Sequence, residues 1–314
     1  MYGETLAHLG EMYDDIVVLD ADLSSSTKTS IFAKKFPHRF FNMGVAEQNM
    51  MGTAAGLAAS GKIVFASTFA VFATGRAWEQ VRYNIAYNKL NVKIVATHGG
   101  ITVGPDGGSH QSTEDIALMR VLPEMRVIVP ADGMEMGEIL RAIVKIPGPF
   151  YIRSSRVKYP VVFNKDYKFV LGKGTILRQG KDISLIGTGL MVSKCLEAAA
   201  SLEKEGISAR VVNISTIKPI DEALLVDCAL NTQGIVTAEE HSAVGGLGSA
   251  VAEVVSEKCP TYICRIAVQD RFGCSGDADE LLGCFGLTSA NIAAAAKQIL
   301  NIPRGSKAIN MATG

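Results

Sequence analysis

A chain of 314 residues has room for two domains of ordinary size. Its residues are 48% hydrophobic and 20% charged, and 31 basic side chains balance 31 acidic ones, so nothing in composition points to nucleic acid or to a membrane surface. The six cysteines fall in the second half with no C-x-x-C pair, which argues against a zinc cluster and a disulfide framework and for a reducing, cytoplasmic compartment; no apolar run is long enough to span a bilayer.

In chain order, residues 3–12 read as a helix and 16–21 (IVVLDA) as a short buried strand. Residues 46–60 form a helix of small residues, 63–67 a strand, 76–87 an amphipathic helix and 92–97 another buried strand. A short strand at 127–129, a helix at 134–145 and a strand at 150–153 complete the first half. Continuous β-branched runs alternating with helices predict a mostly parallel sheet covered on both faces, an α/β domain over residues 1–155. Residues 156–174 are aperiodic, carry Pro160 and read as a linker. A second α/β domain, residues 175–314, repeats the pattern: strands at 182–186, 209–213, 234–238 and 262–268, helices at 191–205, 248–258 and 289–300. The tail after Pro303 reads as frayed.

Five segments carry residues capable of chemistry. Residues 20–27 (DADLSSST) place a run of hydroxyls, Ser26 among them, at a strand end, where they either cap a helix or hold an anionic oxygen. In Phe41-Asn42-Met43-Gly44-Val45-Ala46-Glu47-Gln48, Glu47 opens an otherwise apolar helix, either as a partner of the helix dipole, the reading that residue type favours, or as a functional acid in a dry pocket. Phe69 and Phe72 share a face only if a helix has already begun there; they are then core, or a flat surface for a planar heterocycle. The stretch T-H-G-G-I-T-V-G-P-D-G-G-S-H-Q at 97–111 sets His98, Asp106 and His110 among five glycines just beyond a strand. Histidines exchange protons near neutral pH, and glycines let backbone approach a ligand. Arg153-Ser154-Ser155-Arg156 closes the domain with two guanidinium groups, suited to phosphate or simply to a solvated turn. All five segments sit at strand ends or helix openings of the first domain, and in a parallel sheet such positions converge on one edge. By contrast, the glycine turns at 187–189 and 245–248 lack the last glycine of G-x-G-x-x-G and read as tight strand-to-helix turns.

These segments resemble the pyrimidine-binding and C-terminal domains of transketolase over nearly the whole chain. The G-V-A-E-Q of residues 44–48 is similar to the segment carrying that family's cofactor-activating glutamate, which gives Glu47 that role. S-T-F-A-V-F resembles the aromatic segment, so Phe69 and Phe72 are expected to line the aminopyrimidine pocket of thiamine diphosphate, Phe72 stacking. The 97–111 stretch resembles the donor-sugar loop, with His98 and Asp106 on the sugar hydroxyls and His110 near the reacting carbons, while D-L-S-S-S and S-S-R resemble the phosphate grip, through Ser26 and Arg156.

The family's diphosphate-binding half, with its G-D-G motif and downstream Asn, has no counterpart here, nor does the phosphate-gripping arginine the family carries in the helix that starts this domain. The resemblance therefore implies the C-terminal subunit of a split transketolase, working as an α2β2 heterotetramer with an N-terminal partner that holds most of the Mg or Ca ion site. It implies transfer of a two-carbon ketol unit from a ketose phosphate to an aldose phosphate, as in the pentose phosphate pathway. The alternatives are a 1-deoxyxylulose 5-phosphate synthase-like subunit, against which stands the threonine before His98 in place of the synthase's Asp-Arg; a 2-oxoacid dehydrogenase β-like subunit, which lacks the D-G-x-x-H-Q loop; and a non-catalytic subunit that has kept the fold.

Overall fold

The computed structural model describes residues 1–302, so the expectation of a frayed tail lies outside the described residues. Two sheets organise the chain. The first contains β1 (Ile16–Asp20), β2 (Phe40–Asn42), β3 (Ile63–Phe69), β4 (Val92–Thr97), β5 (Arg126–Ile128) and β6 (Phe150–Arg153), all parallel. The second contains β7 (Thr175–Arg178), β8 (Ile183–Gly187), β9 (Ala209–Asn213), β11 (Gly234–Ser242) and β12 (Tyr262–Val268), in the order β12-β11-β8-β9-β7, with β7 antiparallel to β9. Helices flank both sheets, and the two-domain α/β architecture is as expected.

The strands form where β-branched residues run without interruption, because both faces are covered: every residue of β1 and of β4 is buried. That includes Lys93, whose ammonium donates to Asn91 Oδ1 and to the carbonyls of Ile146 and Gly148 at 2.6–3.0 Å. Expected helices appear at Tyr2–Met12, Glu47–Ala59, Gly133–Ile143, Met191–Lys204, Leu247–Lys258 and Ser289–Leu300.

Three differences matter for the site. The helix expected at 76–87 begins earlier and is not regular: wide turns at Phe72–Arg76 and Val81–Ala86 flank Trp78–Gln80, with bonds such as Tyr87 N–H to Arg82 O spanning five residues. Hydrophobic periodicity cannot separate a π-turn from an α-turn over so few residues. Secondly, short elements escaped the periodic reading, among them helices at Ser24–Thr27, Asp115–Arg120 and Glu222–Asn231. Thirdly, β10 (Thr216–Lys218), from the second half of the chain, adds antiparallel to β5 and completes the first sheet in the order β10-β5-β6-β4-β3-β1-β2. One buried apolar cluster accordingly runs through both domains, from Leu19 and Ile94 to Ile214 and Leu247. Residues 156–174 contain no helix or strand, yet they are packed: Asp132 Oδ2 accepts the N–H groups of Val162 and Phe163 at 2.7 and 2.9 Å.

Candidate active site

Because β1, β3, β4 and β6 are parallel neighbours, their carboxyl ends deliver the loops at 20–27, 69–76, 97–111 and 153–156 to one edge of the sheet. β2 ends on the same edge and leads to the helix opened by Glu47.

Glu47 is 1% exposed in the first turn of its helix, above an inner face of Met50, Met51 and Ala54. Both readings of this carboxylate survive in part: it sits where the helix dipole favours negative charge, and it is dry. Its Oε2 accepts from Arg76 Nη1 at 3.0 Å, and the same guanidinium lies 4.8 Å from the centre of the Phe72 ring. Arg76 was not singled out from the sequence; the wide turn brings it back toward Glu47, and no periodicity announces that.

The backbone after β3 is helical by Val71, so Phe69 and Phe72 do share a face, with rings stacked at 5.9 Å. The imidazole of His98 stacks on Phe69 at 3.7 Å, and His110 meets Phe72 edge-on at 5.4 Å. His98 holds a left-handed backbone (φ +62), uncommon for a residue with a side chain and frequent at functional loops. Its Nδ1 lies 2.8 Å from Thr97 Oγ1, and burial, with help from the positive charge of Arg156, pushes its pKa down to about 4. At neutral pH it is therefore an uncharged imidazole that donates with one nitrogen and accepts with the other. Asp106 and Arg156 form an ion pair at 3.3 Å, and Arg156 also donates to Val103 O at 2.6 Å; both side chains stay partly exposed.

Glu47, Phe69, Phe72, His98 and His110 thus lie in one connected group, with Asp106 and Arg156 beside His98. Ser26 does not join it: it is exposed in the four-residue helix Ser24–Thr27, and among the described residues no hydrogen bond links its side chain to the group. Of the hydroxyl run only Thr27 is buried. Thr27 and, just beyond the run, Thr29 donate to the buried Asp20 Oδ2 at 2.7 and 2.8 Å, so they neither cap a helix nor face a ligand. The arginine pair at 153–156 also divides. Arg153 is 2% exposed, its Nε on Asp115 Oδ2 at 2.8 Å and its Nη2 on Glu240 O at 2.7 Å, so it is a buried strut between the domains and only Arg156 faces the cleft. At 245–248 the backbone N–H groups of Leu247 and Gly248 are filled by the chain's own Glu239 carboxylate at 2.6 and 2.7 Å, as the tight-turn reading requires.

A buried carboxylate, a stacked aromatic pair and the uncharged imidazole of His98 come together at the carboxyl edge of a parallel sheet in a two-domain α/β protein. The family models agree: transketolase, pyrimidine binding domain, matches residues 1–162, and transketolase, C-terminal domain, matches residues 172–292. A protein of Methanocaldococcus jannaschii named as a transketolase C-terminal section is 53% identical, over 93% of this chain and 92% of its own length. A 6-deoxy-6-sulfo-D-fructose transketolase subunit of a Clostridium species is 42% identical, over 95% and 92%. The solved structure of a split gene transketolase, an inactive beta4 tetramer, superposes with a TM-score of 0.89 at 54% identity, covering 96% of this chain and 97% of that one. The chain belongs to the transketolase family, and membership implies a thiamine diphosphate-dependent transferase.

The residues present fit one end of that cofactor. Glu47 and the Phe69–Phe72 pair offer an acid and a stacking face for its aminopyrimidine. For the diphosphate, no group of three or more His, Cys, Asp or Glu side chains able to hold a metal ion comes together among the described residues. No helix among them is long and apolar enough to cross a membrane.

Proposed function

We propose that this chain is the C-terminal subunit of a split transketolase, moving a two-carbon ketol unit from a ketose phosphate to an aldose phosphate in the cytoplasm. Its partner is an N-terminal subunit that binds the diphosphate and its Mg or Ca ion, in an α2β2 assembly. The observation that carries the reading is the buried Glu47 carboxylate at the start of an apolar helix, next to the Phe69–Phe72 stack. Thiamine diphosphate, when bound, supplies carbanion chemistry at a carbonyl carbon.

The protein's contribution is position and proton control. Glu47 would hold the aminopyrimidine through a carboxyl proton, and the apolar helix behind it would keep water from competing. Phe72, half-buried, gives the ring its stacking face; Phe69, deeper, holds Phe72 and His98 in place. His98, neutral because it is buried, and Asp106 take the donor's hydroxyl groups by hydrogen bonds. His110 accepts or returns the hydroxyl proton of the carbon next to the breaking bond. Arg156 pairs with the anionic end of the sugar. Six unpaired cysteines support the cytoplasmic setting.

Co-expression with the N-terminal subunit, followed by assay with thiamine diphosphate and Mg²⁺, tests this reading. Ketol transfer from a ketose phosphate to an aldose phosphate is expected. A complex that binds cofactor but turns over only pyruvate, or only a sulfonated ketose of the kind named for the Clostridium relative, overturns the reaction or the donor class respectively.

A further inference from the structure

The loop that carries Asp106 and His110 belongs to the first domain, but its two ends are pinned by the second. At its start, the buried Glu240 of β11 accepts the Thr102 N–H on Oε1 at 2.6 Å. The Glu240 carboxyl also occupies the space over Gly100, where a Cβ would lie 2.3 Å from its carbon and where φ is +84. The backbone carbonyl of Glu240 receives Arg153, so the same residue ties β6 to the loop. At the far end, Gln111, 5% exposed, donates through Nε2 to Ile101 O at 2.8 Å and to Cys274 O at 2.9 Å. The 273–275 segment lies so close that a Cβ on Gly273 would meet Gln111 Oε1 at 1.7 Å.

Between these anchors the loop has its own short turns, Gly107 N–H to Gly104 O and His110 N–H to Gly107 O. Arg156 donates to Val103 O and pairs with Asp106, and the 273–275 segment backs the loop so closely that a Cβ would lie 2.4 Å from Ser275 Oγ at Gly107 and 2.8 Å from the Gly273 carbonyl oxygen at Gly108. A glycine-rich segment resists bending poorly, so the aim of Asp106 and His110 depends on where its ends are held as well as on these contacts. We infer that Glu240 and Gln111 are positioning residues, and that the second domain serves the reaction by clamping the donor loop at both ends. Burial pushes the Glu240 carboxyl above its usual range, so glutamine, neutral and of the same shape, is its conservative replacement. The role in turnover rests on the proposed function; the clamp does not.

The experiment compares wild type, Glu240→Gln, Glu240→Ala and Gln111→Glu. Hydrogen exchange of the 99–111 segment in the purified chain reads the clamp alone. It should quicken about tenfold or more in Glu240→Ala and Gln111→Glu and stay near wild type in Glu240→Gln. In the complex with the N-terminal subunit, donor kcat should fall about tenfold or more in the same two variants, while the KM for thiamine diphosphate holds, because Glu47 and Phe72 lie outside the loop. Glu240→Gln should restore both readouts. If Glu240→Ala does not fold, Gln111→Glu against Glu240→Gln carries the comparison. Exchange and kcat unchanged within about twofold in Gln111→Glu, or a Glu240→Gln variant as impaired as Glu240→Ala, overturns the clamp. If the wild-type complex transfers no ketol group, the functional reading fails while the exchange arm still judges the clamp.

Discussion

Replacing Glu47 with glutamine separates chemistry from folding. The side chain is 1% exposed, and its charged partner Arg76 is 49% exposed, so the unpaired guanidinium left behind is solvated at little cost. The lost ion pair, solvated on the Arg76 side, is worth about 1 kcal/mol. Loss of a carboxylate from the first helical turn adds about 0.3–1 kcal/mol. Glutamine keeps the volume, so the packing against Met50 and Met51 survives. Glu47→Gln should therefore fold, with unfolding free energy lowered by no more than about 2 kcal/mol in total. The catalytic loss should be larger. A group placed to share a proton in a dry site is worth about 3–4 kcal/mol of barrier, or roughly 10²–10³ in kcat. The assay is kcat of ketol transfer by the reconstituted complex at saturating thiamine diphosphate and Mg²⁺, beside urea unfolding of the same preparation. A variant that folds, saturates with cofactor and keeps kcat within a few fold of wild type refutes the assignment of Glu47. A variant whose stability collapses refutes the reasoning about Arg76.

Three further outcomes follow from the same geometry. His98 titrates near 4 in the fold and near 6.5 unfolded, so below that upper value the unfolded chain binds more protons; the stability is complete above about pH 6.5 and drains toward pH 4, by up to ~3 kcal/mol from this residue. His98→Asn, which tolerates the left-handed backbone, should flatten that part of a urea-midpoint profile; an unchanged acid slope contradicts the depressed pKa. Phe69→Ala, at a buried ring that supports His98, should cost about 3–5 kcal/mol of stability, whereas Phe72→Ala should cost less and instead raise the KM for thiamine diphosphate about tenfold, as calorimetry and cofactor titration will show. Arg156→Ala should raise KM for an anionic donor about 10–100-fold and leave a neutral ketose donor unaffected; an equal change for both assigns Arg156 to holding Asp106 rather than the substrate.

The distribution of what was legible has a physical basis. Strands β1, β3 and β4 announced themselves because burial on both faces demands unbroken apolar runs, and parallel pairing then placed residues 20–27, 69–76, 97–111 and 153–156 at one edge without any contact being known. Residue type by itself favoured a helix-dipole role for Glu47 and left the two phenylalanines open as core; convergence on one sheet edge and the family resemblance nominated them together with His98 and His110.

What the chain could not disclose from its order is how distant groups share space. Arg153 and Arg156 look equivalent in a four-residue string, but Asp115 and the Glu240 carbonyl take one of them into the core and leave the other at the cleft. Arg76 reaches Glu47 through a helix wound wider than any apolar pattern records. Strand β10 crosses to the first sheet on three residues, too short to carry a period, and Glu240 and Gln111 grip the donor loop from partners 138 and 163 positions away. Local sequence specifies periodicity and residue chemistry because these depend on neighbours in the chain; burial, pairing and pKa depend on neighbours in space, and only the packed tertiary structure supplies those.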